Sequence, residues 1–321
     1  MTRIGWMLIA TLFAACGGDD DGGGGGGEPS HDLGDCTLFP AGTASRDNYS
    51  YWNQDISSAP IDALSDSYIA SMGLTTKVHP DFGSDPAYGI PYDTVSGDQA
   101  KLMMAFEVPD ESEPGPYPIP ANAPIEGMGA GDAHVLVVDR DNCMLYEIGV
   151  ASYDGDSNSW SAYSGARFDL RTGALRPEGW TSADASGGSI LVGLARYEEV
   201  EAGSIPHALR FTASKSQHAY IHPATHYASS NTTTGVPPMG LRVRLKGSEC
   251  PGLIGAAGPQ SKVILQALCT YGMILADNGS NYYISGATDP RWDDEDLNYL
   301  KTIPGSSFEA IETGPLTTTG S

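Results

Sequence analysis

The sequence is poor in basic residues. Seventeen Lys and Arg stand against 40 Asp and Glu, which gives a formal net charge of −23 at pH 7. A surface this acidic repels phosphate backbones, because like charges raise the free energy of association. We therefore expect no nucleic acid partner.

Long apolar runs and the familiar catalytic signatures are also missing. Beyond the first residues, no stretch approaches the roughly 18 apolar residues of a membrane helix. There is no G-x-S-x-G elbow, H-E-x-x-H pair, P-loop or Rossmann fingerprint, and no E-x-D-x-x-E strand of the kind found in one sandwich glycosidase family. We expect no cofactor.

Two sequence patterns resemble metal-binding motifs, but each lacks a feature that the motif requires. His218, His222 and His226 are four residues apart, but Pro223 interrupts the helix that would align them. The "DGDSN" segment lacks the Gly and Glu of a calcium-binding EF-hand loop and is more typical of a hairpin tip. We predict no metal site.

The N-terminus has the layout of a bacterial secretory signal. Arg3 precedes about a dozen apolar residues and the ending "FAAC", which resembles a lipobox. We predict a signal peptide over residues 1–15, with Cys16 as the lipid-bearing residue of an envelope lipoprotein, the outer membrane being favoured. Removal of the signal peptide takes away one basic residue and no acidic residue, so the formal net charge changes from −23 to −24. The alternative is an ordinary signal peptide that leaves Cys16 a free thiol.

Residues 16–35 are rich in Gly and Asp, and they predict a flexible tether that buries no core. Four cysteines follow, and an even number in an exported chain favours two disulfides among three pairings. We prefer a local Cys250–Cys269 bridge, which leaves Cys36 to pair with Cys143. Free buried thiols are the alternative.

Forty Gly and 22 Pro punctuate many short β-rich runs. This pattern predicts an all-β fold, namely a β-sandwich, jelly roll or concanavalin-like fold, as a single domain over residues 36–313 with a disordered tail at 314–321. Apolar spacing predicts one packed helix near residues 260–271, and "DPRWDDEDLNYLKTI" a short second one. The Asn278-Gly279 dipeptide predicts a tight hairpin.

The segment "HVLVVDRDNCMLYE" predicts a central hairpin, because both faces of its strands are apolar. Closing the turn at Asp139–Asn142 places His134 directly across from Glu147 on one face. A carboxylate beside an imidazole suits acid–base catalysis, although a structural pair at a sheet rim is an equally ordinary arrangement.

Further polar residues are candidates for the same site. The Pro/Gly-rich loop from Glu111 to Asp132 brings Glu126 and Asp132 to the same end of the strand. Asp277 is a candidate second carboxylate. Tyr282 and Tyr283, with Trp292, are candidate stacking surfaces for sugar rings, with turn chemistry as the alternative reading of the 277–283 segment.

The strand "GLRVRLKG" alternates between apolar and basic residues. Leu241, Val243 and Leu245 are expected inward, and Arg242 and Arg244 outward, where they would bind acidic groups of a glycan. The alternative is protection of a sheet edge by charge.

Six segments carry a resemblance between Asp55 and Phe308. They are "DISSAPIDALSDSYIASMG", "PGPYPIPANAPIEG", "HVLVVDRDNCMLYE", "LRPEGWTSADASG", "HALRFT" and "YGMILADNGSNYYISG". The chain resembles a largely uncharacterised group of secreted or lipid-anchored bacterial β-sandwich-like proteins, which are similar to carbohydrate-active proteins in general character only. This resemblance implies a glycan partner by analogy.

We therefore predict a lipid-anchored polysaccharide-active enzyme, a glycoside hydrolase in preference to a lyase. Catalysis would fall to Glu147 with Asp277 or Glu126, and His134 would tune the nearby carboxylate. In a lyase, His134 or Tyr282 would remove the proton. The alternative is a non-catalytic carbohydrate-binding or adhesion lipoprotein.

Overall fold

The computed structural model describes residues 31–38, 45–312 and 314–319. The predicted signal peptide (1–15), the lipidation residue Cys16 and the first part of the predicted tether lie outside the described residues. Where the structure describes the chain, none of the helices is long and apolar enough to cross a membrane.

Strands dominate the described part of the chain, as the punctuated β-rich pattern predicts. The strands are β1 (His79–Pro80), β2 (Tyr92–Val95), β3 (Met103–Phe106), β4 (Val135–Asp139), β5 (Met144–Gly149), β6 (Ser152–Asp154), β7 (Ser159–Ala162), β8 (Ser164–Asp169), β9 (Leu209–Ala213), β10 (Arg242–Leu245), β11 (Met273–Asn278), β12 (Tyr283–Ile284) and β13 (Phe308–Ala310). The α-helices are α1 (Ser65–Met72), α2 (Tyr197–Glu201), α3 (Cys250–Ala256), α4 (Pro259–Thr270) and α5 (Asp294–Leu297).

The strands form three sheets. A six-stranded sheet has the order β1-β12-β9-β11-β10-β13, a four-stranded sheet β2-β4-β5-β8, and a three-stranded sheet β3-β7-β6. Each sheet mixes parallel and antiparallel pairs; β9 with β11 and β2 with β4 are parallel. The strand-rich class is therefore confirmed, whereas a jelly roll would be antiparallel throughout.

The β4–β5 hairpin lies at the centre, with both faces buried as its sequence predicts. Leu136 and Leu145 join one apolar cluster, which extends to Ile274 of the six-stranded sheet. Val137 and Ile148 join the opposite cluster, where the three-stranded sheet packs. Side chains of a strand alternate between its faces, so a strand between two sheets must be apolar on both.

The hairpin register differs from the predicted one by two residues. Leu136 pairs with Glu147, and Asp139 with Met144. The reason lies in the turn, because Cys143 has φ +49° and belongs to the turn rather than to the strand. Asp139 closes that turn by accepting hydrogen bonds from the backbone and side-chain amides of Asn142. A shift of two keeps each side chain on its predicted face, but it separates His134 from Glu147.

Both predicted helices are present. Helix α4 spans Pro259–Thr270 and buries the predicted apolar stripe, including Ile264 and Leu268. Gly272 follows it with φ +68°, and a Cβ there would lie 2.2 Å from the Val243 carbonyl oxygen, so only glycine fits this helix end. Helix α5 begins after Asp293, whose carboxylate accepts from two backbone amides of the first turn.

The hairpin predicted at Asn278-Gly279 does not form. Strands β11 and β12 flank β9 on opposite sides, β11 parallel to it and β12 antiparallel. The two strands are therefore separated by β9, and the Asn-Gly dipeptide lies in a wider connection. Non-local pairing overrides the local turn preference here.

Arg242 and Arg244 are buried rather than presented to solvent, which corrects their predicted role in substrate binding. Arg242 donates to the carbonyl oxygens of Tyr51, Gln54 and Tyr271. Burial lowers its pKa to about 10. Arg244 donates to Glu309 and to a backbone carbonyl. Both guanidinium groups tie an N-terminal segment onto strand β10, since carbonyl oxygens there satisfy their donors.

The two preferred disulfides are confirmed. They join Cys36 to Cys143 and Cys250 to Cys269. Disulfides of this kind are typical of chains that fold outside a reducing cytoplasm.

Two described segments inside the predicted tether and the predicted disordered tail contact the body of the protein. His31, inside the predicted tether, stacks on Tyr92 and contacts Glu198. In the tail that we expected to be disordered, Thr317 forms an antiparallel bridge with Tyr220 through two backbone hydrogen bonds.

The two disulfides should differ in their contribution to stability. Cys36–Cys143 spans 107 residues and Cys250–Cys269 spans 19. Because loop-closure entropy grows with loop length, replacing the first pair by Ala should lower the free energy of unfolding by about 4–5 kcal/mol and the second by about 3 kcal/mol. Urea unfolding of the two double variants measures this. Equal losses, or a larger loss at Cys250–Cys269, would contradict it.

Candidate active site

A polar cavity of about 300 Å³, here called the central cavity, lies where the two larger sheets and the Pro/Gly-rich loop meet. The four-stranded sheet contributes His134 at the start of β4, and the six-stranded sheet contributes Arg210 and Asp277 from the paired strands β9 and β11. Its walls include Asp81, Glu126, His134, Arg210, Asp277 and Tyr283. Three of the four predicted catalytic residues therefore border one cavity.

Glu126 and His134 are joined at both backbone and side chain. The Glu126 N–H donates to the His134 carbonyl, and the His134 ring Nδ1 lies 2.5 Å from Glu126 Oε2. The His134 backbone N–H also points to Oε2, at 3.3 Å. The turn that returns the loop is left-handed at Gly127 and Met128, both with φ near +56°. The loop therefore presents Glu126 in a fixed position.

His134 is held in its doubly protonated form. Its Nδ1 meets the Glu126 carboxylate, and its Nε2 lies 3.0 Å from the Ala183 carbonyl oxygen. The Ala183 carbonyl and an ionised Glu126 carboxylate both accept, so the doubly protonated ring satisfies both contacts. Burial alone would lower the pKa of His134, but the hydrogen bond and charge of Glu126 outweigh burial and raise it. Below its raised pKa, His134 is therefore a cation that donates to Glu126 rather than a free base.

A second charged group, the guanidinium of Arg210, borders the central cavity. Arg210 binds Asp184 through two hydrogen bonds, of 2.7 and 3.0 Å, and reaches Asp277 at 3.3 Å. Arg210 and Asp184 are both buried. A bidentate guanidinium–carboxylate pair in a buried site has a defined orientation, so it fixes where Asp277 sits.

Glu126 and Asp277, two of the four carboxyl groups that border the central cavity, have opposite pKa shifts. Burial raises the pKa of Asp277 to about 6, and the charge of nearby Asp184 adds to this effect. Burial also acts to raise the pKa of Glu126, but the hydrogen bond and charge of His134 reverse the shift and lower it. Near pH 6, Asp277 is therefore half protonated while Glu126 is ionised.

A second cavity of about 360 Å³ adjoins the central one. Both are bordered by Asp132, His134, Asp277 and Asn278. Asp132 is thus at the site, as predicted. So is Tyr283, whose ring stacks on His79 at 4.2 Å in the wall of the central cavity.

Glu147 is not part of the site, which corrects its predicted catalytic role. It is fully buried, and its carboxylate accepts from the Ser189 hydroxyl and from the backbone amides of Ile190 and Leu191. Burial raises its pKa to about 7, against these three donors, which favour the charged form. Glu147 holds the 189–191 segment in place, and the two-residue register shift explains why it does not meet His134.

Two predicted stacking residues are also buried. Tyr282 donates from its hydroxyl to the Ile69 carbonyl and packs on Phe308. Trp292 donates to the Ala287 carbonyl and packs against Phe82. Neither ring is available as a sugar platform, and Tyr282 is not placed to remove a substrate proton.

Sequence reasoning missed Asp184 and Arg210. Asp184 lies in a loop with no periodic pattern, and Arg210 occupies an otherwise apolar strand, "ALRFTA". A lone basic residue in such a strand requires a buried partner, because an unpaired buried charge is strongly destabilising. The sequence could therefore have predicted that Arg210 has a buried acidic partner, but it could not have identified Asp184 as that partner.

Three of the six described non-glycine residues with positive φ lie in or next to segments that border the two cavities. Met128, Ala133 and Val150 all have φ between +45° and +56°, a region that non-glycine residues rarely adopt. Val150 is β-branched, which makes its conformation especially costly. Ala133 and Val150 are linked through the Asp132–Val150 and Ala133–Ala151 backbone hydrogen bonds. Such outliers persist where surrounding contacts impose them, and they cluster at functional sites.

Among the described residues, one group has metal-ligand proximity, formed by His31, Glu198 and Asp289. Arg291 donates to both of these carboxylates. Both carboxylates therefore already engage one guanidinium, and none of the three residues borders the central cavity.

Comparison with known proteins gave no relative: no family model, curated protein or solved structure matches this chain. The resemblance drawn from the sequence segments therefore stays a prediction.

The Glu126–His134 pair should control the titration of His134. In the wild type, the NMR titration of the His134 ring should give a pKa above its ordinary 6.5, and Glu126→Gln should bring it below that of the wild type, because burial then acts alone. The exposed Glu295 provides the matched control, Glu295→Gln, which should leave the titration unchanged.

The free energy of unfolding should depend on pH through the same Glu126–His134 pair. A raised His pKa stabilises the fold below about pH 6.5, and a lowered Glu pKa stabilises it above about pH 4.5. Between these values Glu126→Gln should cost about 1–3 kcal/mol, and less outside them. A cost independent of pH would show that the pair is not ionic.

Proposed function

We propose that this protein is an exported polysaccharide-active enzyme, a glycoside hydrolase in which Asp277 is the general acid and Glu126 the base or nucleophile. One observation carries the proposal: both carboxyl groups border one cavity, and their pKa values are shifted apart. A pair in which one carboxyl keeps its proton while the other is ionised is what hydrolysis of a glycosidic bond requires.

The roles follow from the protonation states. Asp277 gives its proton to the glycosidic oxygen as the bond from that oxygen to the anomeric carbon breaks. Glu126, as the carboxylate, either takes a proton from the attacking water or bonds to the anomeric carbon itself. His134 positions Glu126 and keeps it ionised. Both of its bonds reach Oε2, so we assign the reacting role to Oε1.

The charges at the site favour hydrolysis over elimination. A lyase acting on uronates needs a free cation to neutralise the substrate carboxylate. Among the described residues bordering the central cavity, Arg210 is the one arginine or lysine, and Asp184 and Asp277 already engage it. Arg242 and Arg244, which we expected to fill that role, are buried elsewhere.

The charged pairs also favour an enzyme over a binding module. For a non-catalytic module we expect a shallow aromatic platform and no buried ionisable pair at the site. Here two candidate platform residues, Tyr282 and Trp292, are buried, while the His134–Glu126 and Arg210–Asp184 pairs border cavities. Binding without cleavage stays an outcome of the test.

The proposal includes the finer predictions of location and architecture. Two disulfides support folding outside the cytoplasm, and we propose a lipid anchor at Cys16, with the outer membrane favoured. We also propose a β-sandwich arrangement, supported by the apolar cluster that Val137 and Ile148 share with Trp160 of the three-stranded sheet.

Purified protein should release reducing sugars from one member of a panel of bacterial and plant polysaccharides. Asp277→Asn and Glu126→Gln should each lower kcat by about 10²–10⁴-fold, because each removes one proton transfer or bond-forming group. Asp156→Asn, at the exposed β6–β7 turn, is the matched control and should keep full activity.

The pH profile gives the second readout. Activity should fall above about pH 6 as Asp277 loses its proton, and below the ordinary Glu126 value of 4.5 as Glu126 gains one. Wild-type activity in Asp277→Asn, or binding of a polysaccharide with no product, would overturn the hydrolase assignment.

A further inference from the structure

The central cavity adjoins other cavities through two different walls. The second cavity, of about 360 Å³, meets it at His134 and Asp277. A third cavity, of about 400 Å³, meets it at Tyr88 and is bordered by His79, whose ring stacks on Tyr283 of the central cavity. Asp277 and Glu126 therefore border a cavity that shares wall residues with one further cavity at His134 and Asp277 and with another at Tyr88, and we call the three cavities together the groove.

Tyr88 marks the junction of the central and third cavities. Its side chain is 58% exposed, although its backbone is fixed by hydrogen bonds to the Asp85 carbonyl and from the Thr288 hydroxyl. Gly89 follows with φ +82°, and a Cβ there would lie 3.0 Å from the Gly286 carbonyl oxygen. A large ring on a fixed backbone keeps an apolar face open at little entropic cost on binding.

Tyr163 has the corresponding position at the second cavity. Its side chain is 47% exposed and borders that cavity together with Val150, which is 55% exposed. The backbone N–H of Tyr163 donates to the Gly149 carbonyl at 2.8 Å, which holds the residue beside strand β5. Each outer cavity thus has an exposed tyrosine at its wall.

We infer that an extended, uncharged glycan chain lies through all three cavities, so that the enzyme cuts internal bonds. This inference rests on the proposed function, because the cut is placed at Asp277 and Glu126. Cavities on both sides of these groups accommodate sugar units on both sides of the bond, with Tyr88 and Tyr163 stacking on units away from it. An enzyme that removes end units needs a groove closed on one side.

The charge of the groove selects against acidic glycans. Asp81, Glu126, Asp132 and Asp277 border the central cavity, where the cations Arg210 and His134 are each paired with a carboxylate. On the third cavity, Lys301 is accompanied by Asp85 and Asp294. A polyuronate would place like charges against these carboxylates at a considerable cost in free energy. Neutral chains avoid this cost.

The test uses four neutral hexasaccharides and their disaccharides as probes: cello-, xylo-, laminari- and N-acetylchito-oligosaccharides, with hexagalacturonate as the anionic probe. Wild-type products are separated by size at pH 5.5. Binding is measured at pH 8, where Asp277 has lost its proton and hydrolysis is slow.

The variants are Tyr88→Ala and Tyr163→Ala. Met103→Ala is the control, since Met103 is exposed on the three-stranded sheet and borders none of the three cavities as described.

The expected products are di-, tri- and tetrasaccharides from one hexasaccharide, with no binding of hexagalacturonate. That hexasaccharide should bind more tightly than its disaccharide, and each tyrosine variant should weaken it by roughly 2- to 10-fold while Met103→Ala does not.

Each other result separates the two proposals. Release of monosaccharide alone overturns the groove inference and leaves the hydrolase intact. Hexasaccharide binding that depends on both tyrosines, without any cleavage, overturns the hydrolase and supports the groove. Equal binding of hexasaccharide and disaccharide, preference for hexagalacturonate, or no binding of any probe overturns the groove inference.

Discussion

The buried guanidinium of Arg210 is the constraint on which the rest of the site depends. It joins Asp184, from a loop, to Asp277, on the strand beside its own. Because a charge inside a protein is tolerated only when it is paired, this interaction fixes the loop against the six-stranded sheet. Asp277 contacts Arg210 from the cavity edge, where burial and the charge of Asp184 keep its pKa high. The same network therefore fixes the loop in place and keeps Asp277 protonated to a higher pH than an ordinary aspartate.

The opposite wall uses a different arrangement. His134 lies at the start of a central buried strand, and the Pro/Gly-rich loop brings Glu126 back to it through a left-handed turn. Because both ring nitrogens meet acceptors, the imidazole is cationic and keeps Glu126 ionised. Glu126 is thus paired with a cation that lowers its pKa, whereas burial first and the charge of Asp184 second raise the pKa of Asp277 despite its contact with Arg210. Two similar side chains acquire different protonation states from their surroundings alone.

Several parts of the site were predictable because they follow from local rules. Alternation along "HVLVVD" and "MLYEIG" correctly assigned each side chain to a face, and the composition of the 111–132 segment correctly predicted a loop that delivers Glu126. The pairing of His134 with Glu147 failed, because the turn lies one residue later than predicted, at residues 140–143 with Cys143 left-handed, and this shifts the register by two residues. The predicted substrate-binding role of Arg242 and Arg244 failed for a different reason. Alternation assigns a side chain to one face of a strand, but it does not show whether another segment of the chain covers that face.

The sequence by itself determined the strand-rich class, helix α4 and the central position of the hairpin, and it reduced the disulfide pairing to three alternatives. These follow from periodicity, turn residues and the parity of cysteines, which act over short distances or leave few alternatives. Tertiary structure alone decided which carboxylates share a cavity, which arginines are buried and where β12 lies relative to β11. These depend on contacts between residues far apart in the chain, such as Arg210 with Asp277, and no local pattern encodes a partner 67 residues away.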